Sequence, residues 1–130
     1  MGRKRASTEP GITGTYDIST GTAEVVPDEF RDGAYILNVN GVPSSHIVLG
    51  EPEELEFEYM RWIAAAVEHL NSRPANKLRV THLGGAGCSL PRYFASKLPG
   101  SRHTVVELDA KLGELVRTLF DVPRSPTVKI

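Results

Sequence analysis

Four residues, Gly84-Gly85-Ala86-Gly87, limit the choice of folds more than anything else in this chain. They follow the β-prone run Leu78-Arg79-Val80-Thr81-His82-Leu83 and precede a stretch in which Leu90, Tyr93, Phe94 and Leu98 recur at helical spacing. A glycine turn between strand and helix lets the backbone bend tightly and come close to a ligand. The helix start behind it offers free amide groups to anything polar or negative. A second strand, His103-Thr104-Val105-Val106-Glu107, is short and apolar, as buried parallel strands are. It ends on Glu107, 23 positions after Gly84. An acid about 20 residues beyond such a turn is where nucleotide-binding units hold ribose hydroxyls. A carboxylate suits the task because it only accepts hydrogen bonds and can take both hydroxyls. The strict G-x-G-x-x-G spacing is not met, because Leu90 stands where the third glycine would be.

The alternation continues. Leu112, Leu115, Val116, Leu119 and Phe120 mark a second helix, and Thr127-Val128-Lys129-Ile130 starts a third strand. The order β-α-β-α-β implies a parallel sheet with right-handed crossovers. The expected fold class is α/β, with residues 51–130 as the first half of a Rossmann-like nucleotide-binding domain. That domain is expected to be incomplete, since a doubly wound sheet has about five to seven strands.

Residues 15–50 read as a small N-terminal β segment. Its runs are Thr22-Ala23-Glu24-Val25-Val26, Ala34-Tyr35-Ile36-Leu37-Asn38-Val39 and Ser45-His46-Ile47-Val48-Leu49. Asn40-Gly41 between the last two suits a tight hairpin turn, because both residues tolerate positive φ. Residues 52–72 read as a helix. Pro52 suits its first position, and Glu53, Glu54, Glu56 and Glu58 suit the positive end of its dipole. Leu55, Tyr59, Ile63, Val67 and Leu70 form the expected buried stripe, and Asn71-Ser72-Arg73-Pro74 the stop.

The charges nearly cancel, 15 basic against 16 acidic, so no global field favours nucleic acid or a membrane surface. Arg3-Lys4-Arg5 sits in a polar stretch, residues 1–14, expected to be a disordered tail. The single cysteine, Cys88, excludes an internal disulfide framework and fits a reducing compartment. No apolar run reaches the about 18 residues of a membrane span. The N-terminus lacks an apolar signal core, and Ala6 stands where a myristoylation site needs Ser or Thr. A cytoplasmic location is expected, with no nucleic-acid or membrane partner. His46, His69, His82 and His103 lack metal-ligand spacing, so no metal is expected.

Several side chains invite a chemical reading and receive a plainer one. Asp109 is placed to cap the helix starting near Ala110. His82 reads as a satisfied core or edge histidine. Cys88 sits near a helix start, where its pKa could fall, but no base partners it, so a packed thiol is expected. Tyr59 and Trp62 read as core, and the glutamates at 51–58 as a solvated helix start.

Three stretches together resemble the spermidine synthase (polyamine aminopropyltransferase) family. Tyr35-Ile36-Leu37-Asn38-Val39-Asn40-Gly41-Val42 is similar to its strand and "DG" turn. Glu54-Leu55-Glu56-Phe57-Glu58-Tyr59 is similar to its "DEFxY" helix start. Leu83-Gly84-Gly85-Ala86-Gly87 with Val105-Val106-Glu107-Leu108-Asp109 is similar to its "GGGDG" and "VEID". They come in the family's order across residues 33–120. The resemblance implies a small N-terminal β domain before a Rossmann-like domain of the class I methyltransferase type. It implies transfer of an aminopropyl group from decarboxylated S-adenosylmethionine to a polyamine, releasing methylthioadenosine, with no metal and no tightly bound cofactor. It further implies that Gly84, Gly85, Ala86, Gly87 and Glu107 hold the nucleoside co-substrate and that Tyr59 contacts the substrate.

Gly87 stands where the family has aspartate, Arg61 where it has a helix glutamate, and Ala65 where it has histidine. The family's glutamine after the turn falls on Ser44, Ser45 or His46. Its catalytic aspartate and adenine-binding acid lie beyond the third strand, so no catalytic residue is assigned and the 130-residue chain alone is expected to be inactive. Two other readings stay open. One is an S-adenosylmethionine-dependent methyltransferase-like domain, which Gly87 favours. The other is a non-catalytic dimeric interaction module using an incomplete sheet's edge. Homodimers or higher self-association are expected.

Overall fold

A computed structural model describes residues 11–130. Four antiparallel strands come first: β1 (Gly14–Ile18), β2 (Gly21–Pro27), β3 (Ala34–Val39) and β4 (Val42–Val48), in the order β1-β2-β3-β4. In β2 the side chains of Ala23 and Val25 are buried while their neighbours face outward, the period-two pattern of a half-buried strand. Asn40 and Gly41, at φ 50° and 78°, turn β3 into β4 as their chemistry predicts. β1 gives almost no sequence signal, because only Ile18 of its five residues is buried. The Arg3-Lys4-Arg5 run and most of the expected tail lie outside the described residues. Ile12, just inside them, packs against the core, and its carbonyl accepts from the Tyr16 hydroxyl at 2.5 Å.

The first helix, α1 (Glu58–Leu70), differs from expectation at both levels. It starts at Glu58 rather than Pro52, because the residues before it are bound elsewhere. Glu51 and Glu54 pair with Arg31, while Glu53 pairs with Lys97 and accepts from Ser96. These contacts make residues 51–57 a strap, so of the four predicted dipole acids only Glu58 lies in the first turn. The buried face also differs. Met60 and Ala64 are buried, whereas Tyr59, Ile63 and Leu70 of the expected stripe are exposed, as is Trp62. The helix packs on its neighbour through the narrow side that carries Met60 and Ala64, and its broader apolar side faces out.

The remainder alternates as predicted: β5 (Arg79–Leu83), α2 (Ser89–Lys97), β6 (Arg102–Val106), α3 (Ala110–Leu119) and β7 (Val128–Lys129). The three strands pair in parallel, in the order β5-β6-β7. The chain is therefore α/β, an antiparallel sheet followed by a parallel βαβαβ unit. Leu112, Val116 and Phe120 are buried beneath α3, as their spacing predicts. No helix among the described residues is long and apolar enough to cross a membrane.

One hydrophobic core joins both sheets. Ile18, Val25, Leu37 and Ile47 meet Val105, Val116, Phe120 and Val128 in a single cluster. Polar contacts close the seam. Ser89 Oγ donates to His46 O at 3.1 Å and Arg92 Nη2 to Val48 O at 3.2 Å, so α2 covers carbonyls of the edge strand β4. Asp109 caps α3 through Leu112 N–H at 2.9 Å, as predicted, and also accepts from Ser19 N–H, Thr20 N–H and Thr20 Oγ1 of the β1–β2 turn. Burial alone would raise its carboxyl pKa. The donors from Leu112, Thr20 and Ser19 outweigh that and hold it well below the usual carboxylate value.

Candidate nucleoside site

The site lies where β5 and β6 end. Gly84 leaves β5 at φ 82°, a region closed to most side chains, and its N–H donates to Val106 O at 2.8 Å. Gly85 is required for a different reason: a Cβ there would lie 2.5 Å from Val105 Cγ1. Cys88 N–H donates to Gly85 O at 2.7 Å and closes the turn. Cys88 itself is buried, and that burial pushes its thiol up to about 12, against the lowering that a helix start could bring.

Glu107 stands one residue past β6 and reaches back over the turn. Its Oε2 accepts from Gly85 N–H at 3.0 Å and Ala86 N–H at 3.3 Å, and its Oε1 from Asp109 N–H at 3.1 Å. A carboxylate has about four acceptor positions, so some capacity stays open to a ligand. Beside it is an open cavity of about 400 Å³. Gly84, Gly85, Ala86, Glu107 and Tyr59 all line it, together with Ser44 and His82. Residues from the end of the antiparallel sheet, from α1 and from the glycine turn thus meet at one place. Tyr59 is half exposed on the cavity rim rather than in the core.

His82 is the lining residue whose setting the sequence conceals. Its Nε2 lies 3.0 Å from His103 Nδ1, and His103 Nε2 lies 2.8 Å from Ser101 Oγ. Burial, with the neighbouring His103, lowers the His82 pKa to about 4, and burial lowers that of His103 as well. Among the described residues no three His, Cys, Asp or Glu side chains converge on a metal-sized site.

A solved structure described as a probable spermidine synthase from Corynebacterium glutamicum matches this chain at 52% identity and TM-score 0.83, over 91% of the chain. The chain belongs to the spermidine synthase-like family. It spans 43% of the length of that solved chain. No protein-family model and no curated protein matches it.

Positions at which this spermidine synthase-like chain departs from the family pattern separate in space. Gly87 does not line the cavity. Its N–H donates to Ser45 Oγ at 2.9 Å, and a Cβ there would fall 2.8 Å from Ser45 Cβ. It belongs to the seam between the sheets, which leaves no room for a side chain. Of the three residues after the turn, Ser44 faces the cavity, Ser45 holds Gly87, and His46 is buried against Asp28 at 2.9 Å. Arg61 and Ala65 line a different groove, with Glu68 and Tyr93.

Proposed function

We propose that the cavity beside Glu107 binds a nucleoside of the S-adenosylmethionine type, either decarboxylated S-adenosylmethionine or methylthioadenosine. Aminopropyl transfer to a polyamine follows only where further sequence supplies the missing acids. The observation that carries this reading is the pairing of Glu107 with the glycine turn on one wall of a cavity of about 400 Å³, a size suited to a small ligand. Glu107 would accept from ribose hydroxyls, and Gly84 and Gly85 would allow close backbone approach. Tyr59 on the rim would contact the substrate end. The amine's proton needs a carboxylate to take it, and no residue of this chain is assigned that role.

Titration calorimetry with methylthioadenosine tests the reading. Glu107→Gln is expected to weaken binding about tenfold, as loss of a charged acceptor does. Wild-type protein that binds no nucleoside would sink it. Closure of the Gly87 position to any side chain supports the methyltransferase-like alternative, since no carboxylate there selects the decarboxylated form. Equal affinity for S-adenosylmethionine and its decarboxylated form would favour that alternative. A stable dimer with no nucleoside affinity would favour an interaction module, for which the exposed Leu83 and Val106 beside the β5 edge are the candidate surface.

A further inference from the structure

His82 lies beside Phe94 of α2, with ring centroids 6.4 Å apart, and it opens a hydrogen-bonded chain that runs from the cavity to the end of α2. The direction of that chain can be read from its buried end. Ser101 Oγ lies 2.6 Å from Leu98 O, and a carbonyl can only accept, so the hydroxyl donates there. The hydroxyl oxygen therefore accepts from His103 Nε2–H at 2.8 Å. Neutral His103 then presents Nδ1 as an acceptor, and His82 Nε2–H donates to it at 3.0 Å. This order leaves His82 Nδ1 with a lone pair and no hydrogen bond among the described residues. It is not sealed either: among the described residues the polar side-chain atoms buried without a partner are His46 Nδ1 and Arg92 Nε.

We propose that His82 Nδ1 is the hydrogen-bond acceptor for an amine carried on the 5′ side chain of the bound nucleoside. This deepens the nucleoside reading and rests on it. His82 lies on β5 and Glu107 directly after the adjacent strand β6, and both line the same cavity, so one ligand can meet both. Among the described residues Glu107 is the one acidic residue lining that cavity, and neither Lys nor Arg lines it, which favours a cationic donor over an anionic one. The lowered His82 pKa keeps the ring neutral, and therefore accepting, at ordinary pH. His103 and Ser101 are positioning residues: they hold the tautomer and aim the ring.

Two isosteric probes test this: 5′-deoxyadenosine carrying a 3-aminopropylthio group, and the same nucleoside carrying a butylthio group. Wild-type protein is expected to prefer the amine about tenfold, as a hydrogen bond to a charged donor gives. His82→Gln places an amide near the Nε2 position, keeps the link to His103, and is expected to abolish the preference. His82→Asn places its oxygen near Nδ1 and is expected to keep it. A purely structural histidine predicts the preference unmoved in both variants, with only thermal stability changing. Retention of the preference in His82→Gln, or equal wild-type affinity for the two probes, overturns the assignment while nucleoside binding stands. Binding of neither probe removes the nucleoside reading and this inference with it.

Discussion

At Gly85 a single methyl group decides whether the turn can close. Its added carbon would stand 2.5 Å from Val105 Cγ1, and Val105 is fixed in the core on β6. Gly85→Ala is expected to cost about 1–3 kcal/mol, the usual range for overpacking. Chemical denaturation should show a lower midpoint at unchanged slope. Ala86 presents the opposite case. Its φ of 44° is left-handed, which costs a residue with a Cβ about 1 kcal/mol. Ala86→Gly relieves that cost but loosens the unfolded chain, so a net gain of a few tenths of a kcal/mol is expected from a thermal melt.

Among the elements, α1 makes the sharpest test, because its periodicity and its packing disagree. Met60 is 8% exposed and Trp62 65% exposed. Met60→Ala is expected to cost about 2 kcal/mol or more through the cavity it leaves. Trp62→Ser should stay within about 0.5 kcal/mol despite the larger side chain lost. Equal losses would restore the stripe read from the sequence. The exposed side, with Tyr59, Ile63 and Leu70, explains why spacing misleads here: period identifies a helix with an apolar face, and only the neighbours determine which part of that face is covered.

For the molecule as a whole, the two shifted histidines and Asp109 push stability in the same direction on the acid side. His82 and His103 have folded pKa values below the unfolded value of about 6.5. The unfolded chain therefore binds protons first, and stability falls as pH drops from about 6.5 toward the folded values. Asp109 adds a second stage. Its folded pKa lies below the usual aspartate value of 3.8, so its contribution is complete above that pH and is lost as the solution becomes more acid. Thermal melts between neutral pH and about pH 3 should show the first stage and the onset of the second. His82→Phe should flatten the upper one. Asp109→Asn, whose amide would face the Ser19 and Thr20 donors, should be less stable at neutral pH and flatter in the lower stage.

The parallel βαβαβ order, the glycine turn, Glu107 at the strand end and the Asp109 cap could all be read from the sequence. Each is written in local terms: hydrophobic period, a turn that needs positive φ, or a cap three residues from its partner. The late start of α1, its buried face and the polar strand β1 could not, since local pattern there is weak or bound by distant groups. Nor could the part of the site that depends on pairs far apart in the chain. Ser45 meets Gly87 across 42 residues, His82 meets His103 across 21, and Asp109 meets Thr20 across 89. Such contacts form only once both sheets share a core, and they decide which polar groups are spent on the seam and which stay open to a ligand.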